Sequence, residues 1–171
     1  MAKKGEISMY EIQNVNKPEL KDACYDLLSD AVLKDGMARL IALSGEVRMK
    51  PCWTHTNNWN CTYKGKRVAS YQLGGGGQMI LNRLVIRVSV KKNELNDFLM
   101  SLSDEMSEEF INGMRCHGCG GCKPGKKIEI LGKQQIVCYR TDYCRVNPTT
   151  EQFRWIEQFI HARRKHIIGE H

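Results

Sequence analysis

Three cysteines spaced three residues apart restrict the possible structures of this chain more than any other pattern in it. They occur in the segment Cys116-His117-Gly118-Cys119-Gly120-Gly121-Cys122, in which glycines fill most of the intervening positions. Glycine lets a backbone fold tightly around a bound ion, and thiolates are the ligands that zinc and iron–sulfur clusters take from proteins. The spacing therefore predicts a metal site in this segment.

A fourth ligand is expected from the hairpin that follows the three cysteines. Two strand-like runs, residues 127–131 and 134–139, flank a predicted turn at Gly132-Lys133. If Leu131 pairs with Gln134, Cys138 lies opposite Lys127, which is five residues beyond Cys122 in the chain. The predicted metal ligands are therefore Cys116, Cys119, Cys122 and Cys138, with His117 and Cys144 as alternatives.

Zinc is the favoured metal. Four thiolates in a tetrahedral array suit it, and a knuckle followed by a hairpin is typical of structural zinc sites. An iron–sulfur cluster is the alternative, because three cysteines at this spacing, a distant fourth and the nearby Pro124 are also found in ferredoxin-type ligation. In ferredoxins, however, the proline follows the distant cysteine. Thiols that are redox-active or bind no metal are the third interpretation.

The composition predicts a single globular domain over residues 1–171, with residues 114–145 as a cysteine-rich metal-binding subregion. The chain is 42% hydrophobic and 26% charged, and it contains only four prolines, which excludes disordered and fibrous classes. Its longest apolar runs, such as residues 84–90, are too short to cross a membrane, and the N-terminal residues lack the apolar stretch of a signal peptide. We therefore expect a cytoplasmic protein, whose eight cysteines stay reduced.

Hydrophobic periodicity predicts an α+β fold in which helices back an antiparallel sheet. Gly36 is expected to interrupt the first helical region, and residues 83–90 to form a half-buried strand. The predicted helices run from Asn16 to about Val32, from Met37 to Gly45, from Asn93 through Leu102, from Ser103 or Asp104 to Gly113, and from Thr149 to Ile168, and the predicted strands cover residues 47–53, 59–63, 66–73 and 83–90.

The last predicted helix has the pattern of a core element. Phe153, Ile156 and Ile160 recur at helical spacing along one side of it. The basic run Arg163-Arg164-Lys165 near its end is interpreted as a favourable interaction with the helix dipole.

A second candidate site lies in the polar and aromatic stretch between the first two predicted strands. Trp53, His55, Asn58 and Trp59 are interpreted as the lining of a small-molecule pocket; the alternative is that the tryptophans pack in the core and the loop is solvated. No paired carboxylates and no Ser/His/Asp order indicate catalysis, so the chain is expected to be non-enzymatic. The net charge of +7 is only weak support for nucleic-acid binding, because four metal-bound thiolates would reduce it.

The segments Lys50-Pro51-Cys52-Trp53 and Trp59-Asn60-Cys61-Thr62-Tyr63-Lys64-Gly65-Lys66-Arg67-Val68 resemble the strand and hairpin module of small bacterial proteins of the YdhG-like and YjbR/MmcQ-like kind. The resemblance covers about a third of the chain. It implies a small α+β domain with an antiparallel sheet backed by helices, in families of which some are discussed as frataxin-like iron handlers. The cysteine cluster departs from the pattern of these families, so the resemblance implies the fold and no functional residue.

Together these patterns predict a protein with a structural zinc site, and the resemblance implies a bacterial source. A small-molecule-binding or regulatory module and an iron–sulfur or thiol redox protein are the alternatives.

Overall fold

The computed structural model describes residues 15–74, 82–115, 125–138 and 140–169. The helices in these ranges include α1 (Leu20–Leu27), α2 (Ala31–Glu46), α3 (Leu95–Met100), α4 (Asp104–Gly113) and α5 (Thr150–Ile168), and a 3-10 turn (Lys92–Glu94) precedes α3. The strands are β1 (Pro51–His55), β2 (Asn58–Tyr63), β3 (Lys66–Leu73), β4 (Leu84–Val88), β5 (Lys126–Ile130), β6 (Lys133–Val137) and β7 (Tyr143–Val146). Within these ranges, no helix has the length and apolar character needed to cross a membrane.

The predicted α+β class with an antiparallel sheet is confirmed. Five strands form one sheet in the order β1-β2-β3-β4-β7, and every neighbouring pair is antiparallel. The strands β5 and β6 form a separate two-stranded hairpin. The chain therefore leaves the sheet after β4, forms α3, α4 and the hairpin, and returns to the sheet at β7.

The return strand β7 was missing from the sequence prediction. It pairs with β4, with Tyr143 opposite Val88 and Val146 opposite Val85. The strand has only four residues, and one of them is an arginine. Alternation of apolar and polar residues cannot be recognised over so short a segment. β4 was predicted to be half-buried, and this prediction was wrong because β7 pairs with the second edge of β4.

All five residues of β4 are buried. Leu84, Ile86 and Val88 belong to the main hydrophobic core. Val85 points to the opposite face, where it packs with Cys144 and Val146 of β7. The strand thus lies inside the sheet with apolar contacts on both faces, as in a central strand.

The helix α5 is a core element, as predicted, and its start is fixed by a capping box. The hydroxyl of Thr149 accepts a hydrogen bond from the Gln152 amide, and the Gln152 side chain accepts one from the Thr149 amide. Four apolar side chains of α5, those of Phe153, Ile156, Phe159 and Ile160, are fully buried.

Arg163 corrects the interpretation of the basic run in α5. Its side chain is only 1% exposed, and its Nη2 atom donates to Oε2 of Glu94 at 2.5 Å. Arg163 follows Ile160 by three residues, so it continues the apolar stripe into the core instead of reaching solvent at the helix end.

The break between the first two helices lies before α2 and not at Gly36, so this boundary prediction was wrong. The Oδ1 atom of Asn82 accepts hydrogen bonds from the amides of Ser29 and Asp30, and Oδ1 of Asp30 accepts one from the Leu33 amide. These bonds satisfy the amides that a helix start leaves free. Gly36 lies inside α2, where it packs against Phe153 of α5.

Helix starts were predicted correctly only where a side chain caps the helix. Ser103 accepts a hydrogen bond from the Met106 amide and begins α4, which ends at Gly113 as expected. Helices were also predicted to start at Asn16 and Asn93, but Glu19 and Glu94 occupy the cap positions of α1 and α3, and neither makes a side-chain capping bond.

Candidate metal centre

Cys138 immediately follows β6, and its backbone is held at two points. Its amide donates a hydrogen bond to the carbonyl oxygen of Met114 at 2.7 Å, and its own carbonyl oxygen accepts one from the amide of Thr141 at 3.0 Å. Met114 is the C-cap of α4 and stands two residues before Cys116. Cys138 therefore lies beside the point where the chain enters the cysteine segment.

The residue at which the described chain resumes also lies near Cys138. The last pair of the β5–β6 ladder joins Lys126 to Val137, and a Cβ atom added to Gly125 would be 3.0 Å from the Val137 carbonyl oxygen. Gly125 thus packs against the residue that immediately precedes Cys138. Both sides of the cysteine segment are consequently anchored next to Cys138.

The register of this hairpin differs from the predicted one by two residues. Ile130 pairs with Lys133, where Leu131 was expected to pair with Gln134. The turn consists of Leu131 and Gly132, both with positive φ angles (48° and 76°), as a tight two-residue hairpin turn requires. A shift of two residues keeps every side chain on its face, and it moves Cys138 from opposite Lys127 to the neighbourhood of Gly125, closer to Cys122 along the chain.

The hairpin is fixed to the main core. Ile128, Ile130 and Val137 are at most 6% exposed, and they belong to the same hydrophobic cluster as the helices and the five-stranded sheet. In the turn, the amide of Leu131 donates to Oδ1 of Asn96 at 3.2 Å. Cys138 is therefore presented by an element whose position is set by core packing.

The other predicted ligands have different places. Cys116, His117, Cys119 and Cys122 lie outside the described residues. Cys144 is 4% exposed and packs with Val85 on the opposite face of the sheet from Tyr143. Within residues 15–74, 82–115, 125–138 and 140–169, no group of three or more histidine, cysteine or acidic side chains has an arrangement that could hold a metal ion.

Three further cysteines lie outside the predicted metal cluster. Cys24 is buried in α1, and burial raises the pKa of its thiol to about 12. Burial also raises the pKa of Cys61 to about 11, against the smaller opposing effect of hydrogen bonds with Ser44 and Tyr71. Cys52 is exposed.

The residues of the predicted ligand pocket occupy strands and not a long loop. Trp53 and Trp59 are opposite each other in the β1–β2 pair, and the connection is the two-residue turn Thr56-Asn57. Trp59 is fully buried and its Nε1 donates to the carbonyl oxygen of Pro18 at 2.8 Å.

The other two pocket residues do not share the burial of Trp59. His55 is exposed, and Asn58 is half-buried and donates to the carbonyl oxygen of Thr56 at 2.7 Å. The structure therefore pairs the two tryptophans, with Trp53 packed against the core, and leaves the His55 side chain at the surface.

The residues that position Cys138 were not identified from the sequence. Met114 acts through its backbone carbonyl and Gly125 through the absence of a side chain. Neither role depends on a recognisable side-chain type. Only the Pro124-Gly125 dipeptide gives a signal, and it indicates no more than a turn.

Comparison with known proteins identifies no relative: no protein-family model, no curated protein and no solved structure matches this chain.

Proposed function

We propose that this chain is a non-enzymatic, cytoplasmic zinc-binding domain. Cys116, Cys119, Cys122 and Cys138 hold one zinc ion, which fastens the β5–β6 hairpin to the end of α4. The observation that carries the proposal is the hydrogen bond of 2.7 Å from the Cys138 amide to the Met114 carbonyl oxygen. It supports a four-cysteine site because it brings the one distant cysteine to the start of the segment that contains the other three.

The lengths of chain involved are compatible with such a site. Zinc–sulfur bonds of about 2.3 Å require the four sulfur atoms to lie roughly 4 Å apart. Only Arg115 lies between Met114 and Cys116, and these two steps of the chain span at most about 7 Å when extended. At the other end, Gly125 packs against Val137, next to Cys138. Both ends of the cysteine segment thus begin close to Cys138.

A structural role follows from the ligand type. Four thiolates complete the tetrahedral shell of zinc and leave no position for a substrate or an activated water. A two-stranded hairpin is marginally stable alone, and here the buried side chains of Ile128, Ile130 and Val137 attach it to the core. Zinc coordinated by Cys138 and by the cysteines after α4 would cross-link the two segments at this junction.

The test is elemental analysis together with an absorption spectrum of protein purified without a metal-affinity tag. About one zinc ion per chain in colourless protein is the expected result. Iron accompanied by sulfide and visible charge-transfer absorption would contradict the zinc site and favour the iron–sulfur alternative with the same cysteines. Protein that contains neither metal, even when zinc is supplied during expression, would contradict both.

A further inference from the structure

A strongly basic cavity lies on a part of the molecule that the zinc site does not use. Its volume is about 590 Å³, and it is bounded by the start of β3, the chain that follows β4, the segment before β7, and α5. The cationic side chains that line it are Lys66, Arg67, Lys91, Lys92, Arg140 and Arg163. Among the described lining residues, Asp142 is the one carboxylate. Four separate segments therefore bring positive charge to one concavity.

The buried member of this group is Arg163. Its side chain is 1% exposed, and Glu94 is the acceptor for its Nη2 atom. The Nε and Nη1 atoms of Arg163 are also buried and have no hydrogen-bond acceptor among the described residues. A buried guanidinium with unsatisfied donors is unfavourable for folding, so the wall of the cavity contains hydrogen-bonding capacity that the described residues do not use.

The carboxylates around the cavity orient the basic side chains without neutralising them. Glu94 is shared between Arg163 and Lys66, whose Nζ atom lies 3.0 Å from Oε1 of Glu94. Partial burial acts to raise the pKa of Glu94, but the hydrogen bonds and charges of Arg163 and Lys66 outweigh it and lower this pKa to about 2. Glu94 is therefore ionised at neutral pH, and its single charge is divided between two cations.

Arg67 is positioned in a similar way. Its Nε donates to the Ser89 hydroxyl at 2.9 Å, and its Nη2 lies 3.5 Å from Oδ2 of Asp142. Asp142 is 4% exposed, and burial raises the pKa of its carboxyl despite the nearby arginines. Lys91, Lys92 and Arg140 are exposed at the edge of the cavity. Arginines held in place by such contacts lose little conformational freedom when a ligand binds.

We propose that this cavity binds a small molecule that carries a phosphate group. The volume is in the range of roughly 300–1,000 Å³ that is typical of small-molecule sites. A phosphate offers several charged acceptors to donors that approach from different sides, and arginine matches its geometry with paired hydrogen bonds. The cations surround a concavity instead of forming an extended strip, which favours a compact ligand over a polynucleotide.

Titration of the intact protein with inorganic pyrophosphate at constant ionic strength tests the site, with isothermal calorimetry as the readout. The double variant Lys91→Ala/Lys92→Ala removes two exposed cations at the edge and should weaken binding about tenfold or more. A matched control, Lys21→Ala/Lys127→Ala, removes two exposed lysines outside the cavity and should change the affinity less than about twofold. Thermal melting checks that both variants are folded.

The variant Glu94→Gln tests the same site in the opposite direction. It removes the negative charge that Arg163 and Lys66 share, so pyrophosphate should bind several-fold more tightly. A misfolded Glu94→Gln variant would instead bind pyrophosphate more weakly than the wild type. Three results would each overturn the proposal. Folded Glu94→Gln could bind pyrophosphate no more tightly than the wild type, or the wild type could show no saturable binding up to ~10 mM. The two lysine double variants could also lose affinity equally.

Titration with a single-stranded oligonucleotide distinguishes a small phosphate-containing ligand from a nucleic acid. Under the proposal the oligonucleotide binds no more tightly, per phosphate, than pyrophosphate does. Oligonucleotide binding that is much tighter than pyrophosphate binding and that depends on Lys91 and Lys92 would identify a nucleic-acid surface and overturn the small-molecule site.

Discussion

The ring of Phe153 lies directly against the backbone of Gly36. A Cβ atom at residue 36 would be only 2.3 Å from the ring, a separation that van der Waals contacts do not permit. The two residues lie on α5 and α2, so the absence of a side chain at residue 36 sets how closely these helices approach. Phe153 is fully buried, and a rearrangement of its ring would disturb its neighbours in the core.

The variant Gly36→Ala should therefore destabilise the protein by about 1–3 kcal/mol, because overpacking forces the helices apart or the ring out of its rotamer. Gly45 is the matched control. It lies in the same helix, and nothing within 4 Å would meet its Cβ, so Gly45→Ala should stabilise by roughly 0.5–1 kcal/mol through the higher helix propensity of alanine. Urea denaturation measures both. Equal effects of the two substitutions would contradict the close packing of α2 on α5.

Thiol labelling should separate the cysteines by burial. Cys52 is exposed and should react quickly with a thiol reagent at pH 8, whereas the raised pKa values and burial of Cys24 and Cys61 keep the reactive thiolate scarce and inaccessible. Peptide mapping by mass spectrometry after a short pulse measures the labelling at each site. Rapid modification of Cys24 or Cys61 in folded protein would show that the core between α1 and the sheet is open.

The ion pairs of Glu94 predict an acid-sensitive contribution to stability. The pKa of Glu94 is lowered from 4.5 to about 2, so this carboxylate stabilises the fold above pH 4.5 and loses that effect as the pH falls toward 2. The contribution should be about 1 kcal/mol, because solvent screens a partly exposed pair. The difference in unfolding free energy between the wild type and Glu94→Gln should therefore shrink from pH 5 to pH 2. Since the other groups titrate alike in both proteins, a constant difference would contradict the shift.

The sequence predicted those parts of the fold that depend on local patterns. The apolar stripe of α5 and the helix starts near Ser103 and Thr149 were identified correctly, because helical spacing and the side chains that favour a helix start act within a few residues. The start of α2 was missed because it depends on Asn82, a residue 52 positions from Asp30, whose side chain binds the interhelical segment. No local pattern contains that contact.

The candidate sites show the same division between local and tertiary information. The proximity of Cys138 to the cysteine segment was expected from a hairpin, but the assumed register was wrong, because the turn consists of Leu131 and Gly132 and not of Gly132 and Lys133. The basic cavity was missed entirely. Its side chains come from four segments that only tertiary packing brings together, although an arginine on the apolar stripe of α5 was a visible signal.

The zinc content of the variant Cys138→Ser tests the four-cysteine site most directly. Zinc is measured by elemental analysis in this variant, in Cys144→Ser, and in Cys52→Ser as the control with an exposed cysteine. We expect Cys138→Ser to lose zinc and to melt at a lower temperature, while Cys52→Ser and Cys144→Ser retain about one ion per chain. Full zinc content in Cys138→Ser, or loss of zinc from Cys144→Ser alone, would contradict the assignment of Cys138 as the fourth ligand.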